Sequence, residues 1–132
     1  MGGRPAIAIR SESLNYRHAF HAGSFADVHK HTVLCRIVHH LCGKPAPFRV
    51  IDSHAGAGLY DLVGSEARRS REWHDGIERL MAATLPVPVA ALLAPYFDVI
   101  GALNETRQLT AYPGSPALVR AALRPQDHLI AC

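Results

Sequence analysis

Charge is sparse in this chain: acidic and basic residues fill only 19% of its 132 positions, below the usual quarter. Aromatic residues are scarcer still, at 7%, with a single tryptophan. The 48% hydrophobic share argues against extensive disorder and suffices for one ordinary domain with a core. Three cysteines form no CxxC pair, so the simplest reading is free thiols in a reducing cytoplasm. No apolar run approaches the ~20 residues that span a bilayer, and the first residues carry no secretory apolar core. The expected setting is therefore cytoplasmic, with no membrane partner. Internal repeats and low-complexity segments are also missing. Fourteen basic residues against eleven acidic ones give a net charge of +3, with nine histidines as latent positive charge below neutral pH. That balance admits a nucleic-acid partner without demanding one.

The richest stretch is Phe48-Arg-Val-Ile-Asp-Ser-His-Ala-Gly-Ala-Gly58, an apolar run that empties into a glycine-rich loop. Residues 48–53 read as a strand, with the loop running on to about Tyr60. In α/β folds such a loop is where a nucleotide-like ligand sits, because glycine lets the backbone come close. Upstream, Ser24 with Asp27 three residues later reads as a helix start. Val28, Thr32, Val33, Leu34, Ile37, Val38 and Leu41 then recur at helical spacing until Gly43 and Pro45, predicting a helix over about 25–42. Residues 65–81 read as a second helix with Trp73, Ile77, Leu80 and Met81 inward. A third follows over Val89–Leu103, holding Pro95. Gln108–Tyr112 reads as a short extended segment, Tyr112-Pro-Gly-Ser-Pro116 as a compact turn, Ala117–Leu123 as a short helix and His128–Cys132 as the next strand of the same sheet. The pattern is α/β, with a small helical insertion at about 65–105.

Several constellations bear on chemistry. The glycine loop lacks the third glycine of a dinucleotide fingerprint and the Gly-Lys-Ser/Thr of a phosphate loop. Strand-Asp-x-x-x-Gly-x-Gly is closer to the loop that methyltransferases wrap around the methionine end of S-adenosylmethionine, where His54 offers a polar contact. On the first helix, His31, Cys35 and His39 stand at i, i+4 and i+8, but that row spans roughly 12 Å, too far for one ion. Two of them with His21 or Cys42 leave a His/Cys metal-binding module open as an alternative. Tyr16, Arg17, His18, Phe20 and His21 interleave aromatic with basic groups. Together with the basic helix 65–81 they leave open a non-catalytic RNA-binding protein; packing of Tyr16 and Phe20 onto the domain fits equally well.

Taken together, the segment Tyr16–Val33, the loop Asp52-Ser-His-Ala-Gly-Ala-Gly-Leu-Tyr60 and the turn Tyr112-Pro-Gly-Ser-Pro116 resemble one family, in order and spacing, over residues 14–132. It is the bacterial 23S ribosomal RNA adenine-N6 methyltransferases of the J type (RlmJ-like). The resemblance implies a Rossmann-like S-adenosylmethionine-dependent domain with a small helical insertion. Its substrate would be 23S rRNA, protein-free or in an early precursor. It implies cofactor contacts from His31, His54 and Ser115, and a substrate-side role for Tyr16; Lys30 falls beside the cofactor histidine with no role assigned, and no metal is expected. Residues 1–13 are read as an extension. The Asp-Pro-Pro-Tyr motif that such enzymes use to hold the adenine nitrogen is not in the sequence. No catalytic residue is therefore assigned here, and the chain is read as the N-terminal part of the domain, as far as the second strand, inactive alone.

Overall fold

The computed structural model describes residues 17–132; Tyr16 and the expected extension 1–13 lie outside them. Ser24 turns the chain into helix: its backbone is extended and its Oγ accepts the Asp27 amide at 3.4 Å. Helix α1 then runs Phe25–Cys42, as its period predicts. Its buried face differs from the expected one. Asp27, His31, Cys35 and Val38 turn inward, whereas Val33 and Ile37 are about half exposed. The polar side chains Asp27 and His31 tolerate burial because other elements bring them hydrogen-bond partners.

Strand β1 (Arg49–Asp52) pairs in parallel with β4 (His128–Ala131), Arg49 opposite His128 and Asp52 opposite Ala131. This is the sheet expected from the two apolar runs. Helix α5 (Ser115–Ala122) packs against both strands and against α1. Ile51 and Ile130 remain 67% and 44% exposed. Arg124, two residues past the end of α5, clamps this sheet. Its Nε and Nη2 grip Asp127, and Nη1 and Nη2 reach the carbonyls of Cys42, Lys44 and Ala46. Asp127 in turn accepts the Phe48 amide. Paired guanidinium donors hold the Asp127 carboxyl well below the usual carboxylate range.

A second sheet was not anticipated. Strand β2 (Leu59–Asp61) pairs antiparallel with β3 (Ala111–Pro113), Tyr60 opposite Tyr112. What the sequence presented as a loop to Tyr60 and a compact turn at 112–116 is therefore strand, then Gly114, then the first turn of α5. Both tyrosines are buried, and that burial makes a ribbon out of two short runs too weak to read as strands.

Between β2 and β3 come the helices. The predicted helix 65–81 is broken into α2 (Ser65–Ser70), an irregular helical turn (His74–Glu78) and α3 (Arg79–Ala82). Arg71, at φ 57°, ends α2 in the left-handed region with its amide on the Ala67 carbonyl. The second break falls at Gly76, φ −102° and ψ −107°, where a Cβ would lie 2.0 Å from the Gly23 carbonyl oxygen. The next amide, Ile77, donates to that same oxygen at 2.9 Å. Trp73, Ile77 and Leu80 pack on the core as expected, but Met81 stays exposed. Helix α4 (Val87–Leu103) starts two residues earlier than expected: Pro88 falls in its first turn, where a missing N–H removes no helical bond. Tyr96 and Ile100 from α4 meet Leu62, Ile77, Tyr112 and Leu118 in the core.

Gly76→Ala should destabilise the fold by about 3 kcal/mol, at the upper end of overpacking costs, since its neighbour is backbone. Urea unfolding checks it; an unchanged midpoint would mean that the 21–25 turn yields to a methyl group at little cost.

Candidate functional site

Asp52 ends β1 and organises the loop after it. Its Oδ2 accepts the Ser115 hydroxyl at 2.5 Å, and its Oδ1 accepts the His54 amide at 3.3 Å. One carboxylate thereby joins the glycine loop to the start of α5. The Ser53 hydroxyl lies 2.9 Å from His54 Nδ1 and orients that exposed ring. Gly56 sits at φ +62°, and the neighbouring Ala57 amide donates to the Tyr60 hydroxyl at 3.1 Å. Gly114 lies so close beneath the loop that a Cβ there would come 2.1 Å from the Ala57 oxygen, while its amide donates to Gly58 at 3.0 Å. Gly58 faces open space instead. A cavity of about 380 Å³ opens where the loop leaves β1, within the usual range for small-molecule sites, with Lys30, Asp52, His54 and Ser115 on its wall.

His31 lies behind that wall, between the cavity-lining residues Lys30 and Leu34 on α1, and is 1% exposed. Its Nδ1 is 2.8 Å from the Tyr112 hydroxyl, which is 2.6 Å from the Tyr96 hydroxyl. This chain holds three hydrogens for two bonds. With the imidazole proton on Nε2, Tyr96 donates to Tyr112 and Tyr112 to a bare His31 Nδ1; with the proton on Nδ1, both bonds reverse and the Tyr96 hydrogen is the one left over. Nε2 is buried with no partner, one of two such side-chain atoms among the described residues; the other is Ser70 Oγ. Burial pulls the His31 imidazole down to about 4, with Asp27 and Asp52 opposing and Lys30 and His18 assisting. Both phenols are pushed up by burial. All three groups are neutral near pH 7, and the site holds one buried ring nitrogen without a protein partner.

Asp27 supports the same helix turn. Burial acts to raise its carboxyl, but Lys30 Nζ at 3.0 Å, His31 and His18 Nε2 at 2.8 Å outweigh that and lower it. Its Oδ2 also accepts the Gly23 amide at 3.1 Å. Lys30, left without a role from sequence, is thus held beside the cavity by Asp27.

The structure brings His54, Ser115 and Lys30 to one cavity and sets His31 just behind it; Tyr16 lies outside the described residues. Sequence reasoning placed Asp52 in the loop pattern without a role of its own and did not single out Tyr96. The bond from Asp52 to Ser115 spans 63 positions and leaves no local signal. Among the described residues no three His, Cys, Asp or Glu groups come together as a metal site. In the His31, Cys35, His39 row the first two are buried and the third exposed. Arg17, part of the aromatic and basic segment that left an RNA-binding alternative open, is paired with Glu66 at 2.7 Å.

An α/β chain with a glycine loop walled by histidine and serine defines a class, and comparison with known proteins narrows it. The sequence model of the family described as "Ribosomal RNA large subunit methyltransferase D, RlmJ" matches residues 45–132, and the chain belongs to that family. Ribosomal RNA large subunit methyltransferase J of Escherichia coli (strain K12) is 45% identical over 116 residues, 88% of this chain and 40% of that protein. The protein of the same name from Haemophilus influenzae is 40% identical over 119 residues, 89% of this chain and 41% of that one. A crystal structure from Legionella pneumophila superposes with a TM-score of 0.74 at 38% identity, covering 85% of this chain and 40% of that one. The chain thus spans about two-fifths of the length of the curated relatives it matches.

The depressed His31 makes stability pH-dependent with a definite sign. The unfolded chain takes up a proton near the ordinary histidine value, while the folded one does so only at about 4. Between those values the unfolded state binds more protons, so stability is full above about pH 7 and falls as pH drops towards 4. His31→Gln, which cannot titrate, should abolish about 3 kcal/mol of that fall in urea unfolding at stepped pH. Parallel pH profiles for the two proteins would contradict the buried, neutral ring. In the native chain, nitrogen NMR should show the Nε2–H tautomer, and Tyr112→Phe should release that preference; a Nδ1–H tautomer would reverse the hydrogen count.

Proposed function

We propose that this chain carries the cofactor loop of an S-adenosylmethionine-dependent methyltransferase of Rossmann-like fold, acting on adenine N6 of 23S rRNA in the bacterial cytoplasm. The observation that carries the reading is His31 Nε2, a buried ring nitrogen without a protein partner, on the helix that lines the cavity. Protonated there, it suits the carboxylate of an amino-acid moiety. The open space at Gly58 and the exposed His54 leave room for the rest of that moiety, and Ser115 sits at the cavity's inner edge. The residues therefore fit S-adenosylmethionine, which when bound supplies an electrophilic methyl group on a sulfonium.

In this reading His31 holds the carboxylate, His54 and Ser115 flank the methionine end, and Asp52 fixes Ser115 and the loop in register. None of these residues exchanges a proton with substrate: they bind and orient, which is the larger part of what methyl transfer asks of a protein. Tyr16 is assigned to the adenine side, and α2, α3 and α4 to a helical insertion over about 65–105. The 23S rRNA substrate is taken protein-free or in an early precursor. Since the sequence holds no Asp-Pro-Pro-Tyr motif, methyl transfer is assigned to the full-length family polypeptide, and this chain alone is taken to be inactive.

Titration calorimetry of the 132-residue chain with S-adenosylmethionine tests the assignment. His54→Ala and His31→Gln should each weaken binding about tenfold, the worth of one hydrogen bond to a charged group. Undiminished affinity in both variants would remove the cofactor role from this loop.

A further inference from the structure

A second and larger cavity, about 1170 Å³, opens among α2, the irregular turn, the end of α4 and the 104–109 loop, and shares no lining residue with the glycine-loop cavity. Arg68, Arg71 and Arg107 line it. None of the three side chains makes a hydrogen bond or ion pair with a described residue. Two carboxylates also line it: Glu78 is taken up by His74 Nδ1 at 2.5 Å, which leaves Glu105 against three free guanidiniums. The wall between them is aromatic, with the Trp73 and His74 rings stacked at 3.9 Å between centroids.

The backbone adds an independent observation. Among the described residues, the only non-glycine positions in the left-handed region are Arg71, at φ 57°, and Arg107, at φ 63°. Both belong to this cavity, on loops 36 positions apart in sequence. Glycine is the residue that such positions favour, and Arg71 closes α2 where glycine is the common helix end. A side chain kept at a strained position marks something the side chain does. The Arg107 loop is held rigid by Asn104, whose Oδ1 accepts the Thr110 and Ala111 amides and whose carbonyl accepts the Arg107 amide.

We infer that this cavity is a binding groove for single-stranded RNA, with Arg68, Arg71 and Arg107 on successive phosphates and the Trp73–His74 stack presenting a face to a base. Unpaired guanidiniums around an aromatic floor are the combination that unpaired RNA requires. The inference rests on the RNA-methyltransferase reading for its substrate class, but its test needs no cofactor and no methyl transfer. A free mononucleotide shares the chemistry, so both ligands are measured.

Fluorescence anisotropy of a labelled single-stranded RNA of about twelve nucleotides, without S-adenosylmethionine, gives affinity and salt slope. Arg71→Gly/Arg107→Gly removes two guanidiniums and relieves both backbones. It should weaken RNA binding about tenfold or more and flatten the salt slope by about 1.4, or roughly 0.7 per phosphate lost, while the thermal midpoint holds or rises. Adding Arg68→Ala should flatten the slope further, and Arg120→Ala, on α5 outside the cavity, should change nothing. Unchanged affinity and slope in the glycine variant would overturn the groove, as would absence of RNA binding by the native chain. Adenosine monophosphate binding as tightly as the oligonucleotide would make the cavity a mononucleotide site and overturn the RNA assignment. Cofactor affinity, read separately by calorimetry, shows whether the methyltransferase reading stands or falls independently.

Discussion

Most of this structure hangs on the hydroxyl of Tyr112. That oxygen is within hydrogen-bond distance of Tyr96 on α4 and His31 on α1, and it projects from β3. Three elements far apart in sequence are thereby referred to one point, and all three side chains are almost wholly buried. Because the groups are neutral, the arrangement carries no buried-charge penalty. Its direction matters more than its energy: the tautomer decides whether the imidazole presents a donor or an acceptor, and so which end of an amino acid it can hold.

Around that point two carboxylates divide the work. Asp27 gathers the Gly23 amide, His18 and Lys30, which fixes the start of α1 and the approach to it. Asp52 gathers the glycine loop and the start of α5. Neither is isolated, so the loop stands formed by contacts within the protein alone. A binding site already built loses less ordering entropy when a ligand arrives. The cramped Gly114 and the open Gly58 belong to the same design: one lets α5 press against the loop, the other leaves the loop's outer side bare.

The legible part of the sequence was local. The Ser24 cap, the period of α1 and the two apolar runs of the parallel pair all depend on neighbours within a few residues, and each stands where expected. The ribbon of β2 and β3 was not legible, since each strand has three residues and derives its stability from the other. The break at Gly76 was hidden for a related reason: a glycine in a helical pattern shows a close approach only once the approaching carbonyl, 53 positions away, is known. Within the site, His54 and Ser115 stood in recognisable motifs, whereas Asp52, Tyr96 and the Arg124–Asp127 clamp act through partners remote in the chain. Polar residues at helical spacing were the most misleading signal. Asp27, His31 and Cys35 occupy the inner face of α1 because other elements supply what they bond to, or, for Cys35, because the thiol packs as a small apolar group.

The two cavities also differ in how their surroundings are stabilised. Near the glycine loop nearly every polar group is satisfied inside the protein, and the exception, His31 Nε2, is a single sheltered atom. Around the second cavity the guanidiniums reach into solvent and two backbones are held in a conformation that costs each of them stability. A sheltered donor discriminates one small ligand by geometry; free cations on rigid loops attract a long anion by charge and tolerate its sequence. The two surfaces reach the Tyr112 junction by different routes: the histidine helix meets its hydroxyl directly. The Arg107 loop depends on Asn104, which ties the end of α4 to the strand that carries Tyr112.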